Sequence, residues 1–429
     1  MAVVLLFSMV IGLLLIGVPI AVSLGLSSIL FLLFFSDATL ASVAGTLFEA
    51  FEGHFTLLAI PFFILASSFM TTGGVARRII RFSIACVGHL PGGLAIAGVF
   101  ACMMFAALSG SSPATVVAIG SIVIAGMRQV GYSKEFAAGV ICNAGTLGIL
   151  IPPSIVMVVY AAAVEVSVGR MFLAGVIPGL MAGMMLMITI YVMAKVKNLP
   201  KGDWLGWGEI LESGRDAGFG LFLIVIILGG ILGGIVTPTE AASIAVAYAL
   251  FIGIFVYRTL TFKGFYGMLV RTARIMGVIF VIIAFAGILG WWMSFERIPQ
   301  LIAETVLGLS DNRYAVIAII IGLLLVVGMV MDITAILIIL APVLVPLTEQ
   351  VGLEPIHAGI IFVLALNISL MTPPVGACLF VLSSVTGEKL ERISIKLMPF
   401  LIAEVAILFA FAFWEDAALW LPRMLGYAQ

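Results

Sequence analysis

LSGSSPATVVAIG, residues 108–120, places a cluster of glycine, serine and proline inside a long apolar segment. GMVMDITAILII, residues 328–339, interrupts a second apolar segment and adds a carboxylate, Asp332. Glycine, serine and proline are poor residues for a helix interior, so both stretches predict that the chain stops and turns. Irregular backbone at membrane depth is tolerated only where it is buried in protein or lines a cavity. Each stretch therefore marks a candidate site.

The composition is that of a membrane protein with many spans. Hydrophobic residues make up 63% of the 429 residues and charged residues only 10%, whereas soluble domains carry about 25% charged residues. A membrane-spanning helix needs about 20 apolar residues, and the chain holds many such segments. We therefore expect an all-α polytopic membrane protein. The net charge of −1 gives no indication of nucleic-acid binding.

The charged residues alternate in sign along the chain. Loops rich in lysine and arginine tend to stay cytoplasmic. Five basic groups are therefore expected on the inner face: Arg77, Arg78 and Arg81; Arg128 and Lys134; Lys195, Lys197, Lys201 and Arg215; Arg258, Lys263, Arg271 and Arg274; and Lys389, Arg392 and Lys396. The residues expected outside are Asp37, Glu49, Glu52, Glu349, Glu354, Glu415 and Asp416, with Arg170, Arg297, Arg313 and Arg423.

Two apolar segments must return to the side from which they start. Residues 92–127 begin and end beside inner basic groups, and residues 314–347 begin and end beside outer charges. Each is predicted to be a re-entrant hairpin with its tip at the interrupted stretch. The other segments predict about ten crossings, at 2–17, 18–35, 55–72, 133–166, 171–194, 217–235, 239–257, 275–293, 356–387 and 397–420. Both termini are then periplasmic.

The two halves of the chain match at an offset of 221 residues. QVG at 129–131 recurs at 350–352, and the proline pair at 152–153 recurs at 373–374. The offset maps hairpin tip onto hairpin tip, but one hairpin opens inward and the other outward. The halves are therefore predicted to be related by inversion in the membrane plane. Inverted repeats with broken helices at the midplane are typical of secondary transporters.

Two hairpin tips and two helix breaks supply the polar groups of the candidate site. The proline pairs remove amide donors and so break the crossings at 133–166 and 356–387. Free carbonyls and hydroxyls suit a hard cation such as Na⁺, and helix N-termini suit a carboxylate. The candidate Na⁺ ligands are Ser109, Gly110, Ser111, Ser112, Gly145, Thr146, Gly148, Pro152, Gly328, Met331, Asp332, Asn367, Thr372 and Pro373. The candidate substrate contacts are Ser111, Ser112, Thr115, Asp332 and Thr334.

Asp332 has two interpretations, which do not exclude each other. Its carboxylate can cap the helix that begins at Ile333, or it can contact the ion or substrate directly. The offset places Ser111 at the matching position, and serine is also a good cap, which favours capping. Glu240 is expected to complement a helix dipole. Glu404 lies in the last span, and the sequence assigns it no role.

Six motifs, taken together and in this order, resemble the large membrane subunit of the tripartite ATP-independent periplasmic (TRAP) transporters. Only their combination is specific, and it covers essentially the whole chain. The motifs are GVPIA (17–21), SGSSPAT (109–115), LGILIPPS (147–154), TPTEAAS (237–243), GMVMD (328–332) and NISLMTPPVG (367–376).

The resemblance implies Na⁺-driven uptake of an organic acid, such as a C4-dicarboxylate or sialic acid, in the bacterial inner membrane. It implies two protein partners, a separate four-helix membrane subunit and a periplasmic substrate-binding protein. It also implies an elevator fold. One Na⁺ would lie between the tip at 109–112 and the break at 145–153. The second would lie between 328–332 and 367–374, with the substrate between the tips.

This picture divides the chain into scaffold, arms and a transport domain in two halves. The expected division is scaffold helices at 1–72; an interfacial arm at 73–91; a first transport half at 92–166, with hairpin 92–127 and broken helix 133–166; scaffold helices and linker at 167–274; a helix and interfacial arm at 275–313; a second transport half at 314–387, with hairpin 314–347 and broken helix 356–387; and a C-terminal helix at 388–429.

Other functions are less well supported by the residues. A stand-alone dicarboxylate carrier would share the inverted architecture but need no binding protein. An ion channel would show a filter-like repeat, and none is present. The serines at 109–112 have no nearby hydrolase motif, so the chain is not expected to be an enzyme. There is no Walker A motif for direct ATP drive.

Overall fold

The computed structural model is built from helices joined by short connections. It describes residues 16–35, 55–72, 74–295, 297–309, 312–374 and 376–426, and a few isolated positions before residue 46. The helices are α1 Ile20–Phe35, α2 Ala59–Thr72, α3 Val75–Val87, α4 Gly93–Ser109, α5 Ser112–Gln129, α6 Lys134–Thr146, α7 Ile155–Val164, α8 Val168–Lys197, α9 Gly206–Leu232, α10 Pro238–Phe251, α11 Phe262–Phe295, α12 Ile298–Leu309, α13 Arg313–Gly328, α14 Ile333–Gln350, α15 Pro355–Ser369, α16 Ala377–Thr386, α17 Leu390–Phe413 and α18 Glu415–Met424.

The helix boundaries repeat between the two halves. α5 and α14 both contain 18 residues, and their first and last residues differ by the same 221 positions that relate the sequence motifs. α7 and α16 both contain 10 residues. The residues that follow α5 and α14, Val130 and Val351, have nearly equal backbone angles (φ −96° and −94°). The repeat predicted from sparse identities is therefore present in the backbone.

Each half contains the predicted hairpin and broken helix. α4 and α5 form the first hairpin, and α13 and α14 form the second. α6 gives way to the short 3-10 turn Leu147–Ile149, and the chain becomes helical again in α7. α15 and α16 are separated at the second proline pair. The proline peptides at 152–153 and 373–374 are both cis.

The second segment of each broken helix packs against the hairpin of the other half. α7 packs against α14, and α16 packs against α5 and α6. The long helices α8 and α17 pack against each other. α8 also packs on α4, α7 and α15, and α17 also packs on α6 and α15. A second group is formed by α2, α9, α10 and α11, with α1 on α11. Burial of apolar side chains between these helices positions both hairpin tips near one another.

Six charged residues at one end of the molecule form a network of ion pairs. Arg170 pairs with Glu354, and Arg313 with Glu415 (2.6 Å). Arg423 reaches three acids, Glu354, Glu415 and Asp416. All six were predicted to lie on the outer face.

Loops predicted to lie inside meet at the other end of α8. The Tyr132 hydroxyl donates to the Pro200 carbonyl (3.1 Å), and the Gly92 amide donates to the same oxygen (3.2 Å). Arg170 and Pro200 lie at opposite ends of α8, whose 30 residues span about 45 Å. The six outer charges therefore share one end of the molecule, as predicted, and loops predicted to lie inside meet at the other end.

Six helices among the described residues are long and apolar enough to cross a membrane, and a bent pair, α2 and α3, adds a seventh. Three predicted boundaries are affected. The crossing expected at 397–420 is present but lies at Leu390–Phe413, because the helix ends there and α18 is separate. The crossing expected at 275–293 starts earlier, at Phe262, so Arg271 and Arg274 are in α11 and not in a loop. Most of the crossing expected at 2–17 lies outside the described residues.

Candidate functional site

The first hairpin tip is hydrogen-bonded to the first helix break. Ser112 Oγ donates to the Thr146 carbonyl at 2.7 Å. The Gly110 carbonyl accepts the Ile155 amide (3.3 Å), at the start of α7. Ser112 and Thr146 are fully buried. The tip and the break are thus held together by buried polar bonds, as the pairing of their sequences predicted.

Two glycines let the tip and the break approach backbone to backbone. A Cβ on Gly148 would lie 2.7 Å from the Ser111 carbonyl oxygen and 2.8 Å from the Ser112 nitrogen. A Cβ on Gly110, where φ is +58°, would lie 2.8 Å from the Pro153 carbonyl oxygen. Cβ atoms do not fit at these distances, so glycine is required at both positions.

The second tip packs on the second break through a glycine and a serine side chain. A Cβ on Gly328 would lie 2.2 Å from Ser369 Oγ, so the end of α13 touches the end of α15. Thr372 Oγ1 donates to the Ile368 carbonyl (2.7 Å). Gly376 has φ +51° and starts α16. In this arrangement the carbonyls at the end of α15 lie beside the hairpin tip.

Asp332 is the N-cap of α14. Its carboxylate accepts the Thr334 amide at 2.9 Å, which confirms the capping interpretation. The argument from its repeat partner was wrong, because Ser111 precedes α5 without a side-chain cap bond. The Ser111 carbonyl instead accepts Thr115 Oγ1 (2.9 Å). Asp332 remains exposed, so capping leaves an oxygen for other contacts.

Both hairpin tips line one cavity of about 520 Å³. From the first tip come Ser109, Gly110, Ser111, Ser112, Pro113 and Ala114, and from the second tip Asp332, Ile333 and Thr334. The N-termini of α5 and α14 both open on this cavity. A neighbouring cavity of about 780 Å³ also reaches Asp332 and Thr334 and is lined by Arg274. Asp332 therefore lies between two cavities.

Arg271 lines the cavity shared by the two tips. The sequence assigned it to an inner basic loop, because a charge count cannot show that α11 extends back to Phe262. Four polar residues of α2 also line this cavity: Ser67, Ser68, Thr71 and Thr72. Their i, i+4 spacing inside an apolar span was a signal that the sequence analysis did not use.

Some predicted residues lie beneath the cavity surface. Thr115 is fully buried and bonds to Ser109 Oγ (2.8 Å), so it supports the tip and is not among the residues that line the cavity. Met331 packs against the core. Gly145 lies against Val116 inside the first half. Thr115, a predicted substrate contact, therefore does not line this cavity, whereas Gly145 and Met331 stay predictions as Na⁺ ligands.

Asn367 has a partner that the sequence did not assign. Asn367 Nδ2 donates to Glu404 Oε2 at 2.7 Å, in a buried setting. Glu404 lies on α17, and Asn367 lies in the last turn of α15. Glu240, in contrast, behaves as expected, since it forms a capping box with Thr237 at the start of α10.

Comparison with known proteins agrees with this architecture. Residues 7–416 match the family model described as tripartite ATP-independent periplasmic transporter, DctM component. The C4-dicarboxylate TRAP transporter large permease protein DctM of Vibrio cholerae is 54% identical, over 99% of this chain and 98% of the relative. The DctM protein of Pseudomonas aeruginosa is 51% identical, over 94% of each chain.

More distant proteins share the architecture. The sialic acid TRAP transporter large permease protein SiaM of Vibrio cholerae is 35% identical, over 97% of this chain and 98% of the relative. The crystal structure of the Alcanivorax borkumensis YdaH transporter superposes with a TM-score of 0.64 at 13% identity and covers 87% of each chain. The last likeness concerns the fold alone. The chain belongs to the DctM family and is the large, multi-pass membrane subunit of a TRAP transporter.

Proposed function

We propose that the chain carries out Na⁺-coupled secondary uptake of an organic acid across the bacterial inner membrane, by an elevator movement. It works with a small four-helix membrane subunit and a periplasmic substrate-binding protein. The basic ends of its helices face the cytoplasm, and the outer ion-pair network faces the periplasm. A C4-dicarboxylate is the favoured substrate, because the two relatives above 50% identity are named for it.

The cavity between the tips supports an anionic substrate. Arg271 supplies a guanidinium, which binds carboxylates with paired hydrogen bonds. The N-termini of α5 and α14 add positive dipole ends at the same cavity. The hydroxyls of Ser111 and Thr334 are within the lining and can orient the solute. The shared cavity is the observation that carries the proposal.

The breaks supply oxygen atoms for Na⁺, which is carried as a co-substrate. The close approach of Gly148 to the Ser111 carbonyl, and of Gly110 to the Pro153 carbonyl, gathers backbone oxygens at the first break. At the second break the buried Asn367 Oδ1 has no hydrogen-bond partner among the residues that the structure describes. Carbonyl and amide oxygens are suitable ligands for a hard cation. The donor set therefore fits Na⁺.

Packing indicates which helices move together. α8 packs on both halves, and α17 links α6 with α15. Lys134, at the start of α6, forms an ion pair with Glu388, which follows α16 (3.2 Å). At the other end of the molecule Arg170, in the first turn of α8, forms an ion pair with Glu354, which precedes α15. Both pairs join one half to the other. The moving body is therefore α4–α8 with α13–α17, although the sequence analysis placed 167–274 with the scaffold and 388–429 apart.

Uptake by the reconstituted complex tests the proposal. The chain, its small subunit and the cognate binding protein are placed in liposomes, and accumulation of labelled C4-dicarboxylates is measured with and without a Na⁺ gradient. Arg271→Gln should reduce uptake roughly 10- to 100-fold, the loss expected for removing a charged hydrogen bond of about 1.5–3 kcal/mol. Lys263→Gln, an exposed residue on the same helix, is the matched control.

Three results would contradict parts of the proposal. Accumulation that is the same with and without a Na⁺ gradient would show that transport is not coupled to Na⁺. Uptake by the chain alone would replace the tripartite transporter by a stand-alone carrier. Equal uptake by the Arg271 and Lys263 variants would show that Arg271 does not bind the substrate.

A further inference from the structure

Glu404 is a buried carboxylate in the middle of α17. Its side chain is 3% exposed, and that of Asn367 is 1% exposed. The Asn367 amide donates to Glu404 Oε2 at 2.7 Å, whereas Glu404 Oε1 has no hydrogen-bond partner among the described residues. A buried acid inside a membrane protein is costly and is associated with function. This group therefore needs an explanation beyond packing.

The surroundings of Glu404 contain no compensating positive charge in the part of the chain that the structure describes. None of the ion pairs between described residues involves Glu404. The helices packed against α17 bring buried thiols and amides to this region: Cys142 and Asn143 on α6, Cys378 on α16 and Asn367 on α15. The buried imidazole of His357, on α15, bonds instead to the Phe411 carbonyl of α17 (2.6 Å), about two turns from Glu404. The charged residues of α8 lie in its first and last turns. A carboxyl group in such a setting is stable only if it takes up a proton or if a bound cation balances its charge.

The contact with Glu404 fixes the orientation of the Asn367 amide. With Nδ2 bonded to Glu404, Oδ1 points away from the carboxylate, and within the described part of the chain it has no hydrogen-bond partner although it is buried. Asn367 is in the last turn of α15, where backbone carbonyls lose their helical partners. The amide oxygen and these carbonyls are thus free together at the second break.

The first break is built differently at the matching position. The 221-residue offset pairs Asn367 with Thr146. The Thr146 hydroxyl donates to the Asn143 carbonyl (2.7 Å), and its own carbonyl accepts Ser112 Oγ. Those groups are neutral and satisfied within the first half. Glu404 also lies near this break, because α17 packs on α6, but among the described residues its carboxylate bonds only to Asn367, at the second break.

We infer that Glu404 is a positioning residue and buried counter-charge for the cation at the second break, acting through Asn367. Its carboxylate holds the amide so that Oδ1 faces the cation, and its negative charge offsets the positive charge in a medium that screens weakly. The two cation sites are therefore unequal, the second being the one that depends on a carboxylate behind its ligand. This inference rests on the proposed Na⁺ coupling.

The test compares Na⁺ responses of the complex of large and small subunits. The rise in thermal unfolding midpoint on replacing KCl by NaCl is measured, together with the Na⁺ concentration for half-maximal uptake. Glu404→Gln keeps the shape but removes the charge, so it should lose most of the Na⁺-induced rise and need roughly tenfold more Na⁺, a change of 1.4 kcal/mol. Its midpoint in KCl should not fall. Glu349→Gln, an exposed acid, is the control.

The outcomes separate this inference from the proposed function. No Na⁺ response in the wild-type complex would overturn both. A wild-type response that Glu404→Gln retains in full would overturn only the role of Glu404. A lower midpoint in KCl with an unchanged Na⁺ response would show a merely structural role. If Glu404→Gln does not assemble, Glu404→Asp should keep the Na⁺ response and Asn367→Ala should lose it, and equal responses would refute the inference.

Discussion

Gly148→Ala is the sharpest test of how the first tip meets the first break. The added methyl group would lie 2.7 Å from the Ser111 carbonyl oxygen and 2.8 Å from the Ser112 nitrogen, both of them backbone atoms. Backbone cannot rotate aside as a side chain can, so the tip must move. Overpacking of this kind costs about 1–3 kcal/mol. The same movement would stretch the 2.7 Å bond between Ser112 Oγ and the Thr146 carbonyl.

The assay combines thermal unfolding in detergent with Na⁺-dependent uptake in liposomes. Gly148→Ala should unfold at a lower temperature and lose Na⁺-dependent uptake. Gly126→Ala is the control, because its methyl group would meet only Leu94, at 3.7 Å, in the interior of α5. It should be neutral or up to about 1 kcal/mol more stable, as alanine is the better helix former. Wild-type stability and uptake in Gly148→Ala would refute the close approach.

Three further outcomes are expected. Asp332→Asn should keep the helix cap, because asparagine caps as well as aspartate, and yet reduce uptake; unchanged uptake and Na⁺ dependence would show that the charge is not used. Ser112→Ala should lower stability by about 1–3 kcal/mol, since it leaves the buried Thr146 carbonyl without its donor, and a wild-type unfolding midpoint would contradict that bond. Lys134→Glu and Glu388→Lys should each destabilise by about 1 kcal/mol and restore stability when combined, and additive losses would show that the two side chains do not interact.

Much of the order of helices, hairpins and breaks could be predicted, because it depends on residues that are adjacent in the sequence. Clusters of glycine and serine, and the two proline pairs, interrupt helices, so both hairpin tips and both breaks were visible without any partner helix. Single prolines do not suffice, since Pro342 and Pro346 lie inside α14. The sign of the charges between apolar segments predicted which connections lie on the same side of the membrane. The ion pairs of Arg423 with three acids predicted to lie outside agree with that prediction. The offset of 221 residues then predicted equal helices in each half.

The sequence by itself determined the order of hairpins and broken helices, since each depends on residues next to one another in the chain. Only the tertiary structure decided which polar side chains meet: Arg271 at the cavity, Glu404 against Asn367, and Ser111 without a cap bond. The physical reason is that lipid and protein interior are equally apolar. A hydrophobic run therefore predicts that a helix crosses the membrane, but its neighbours and facing side chains are set by packing between helices distant in sequence.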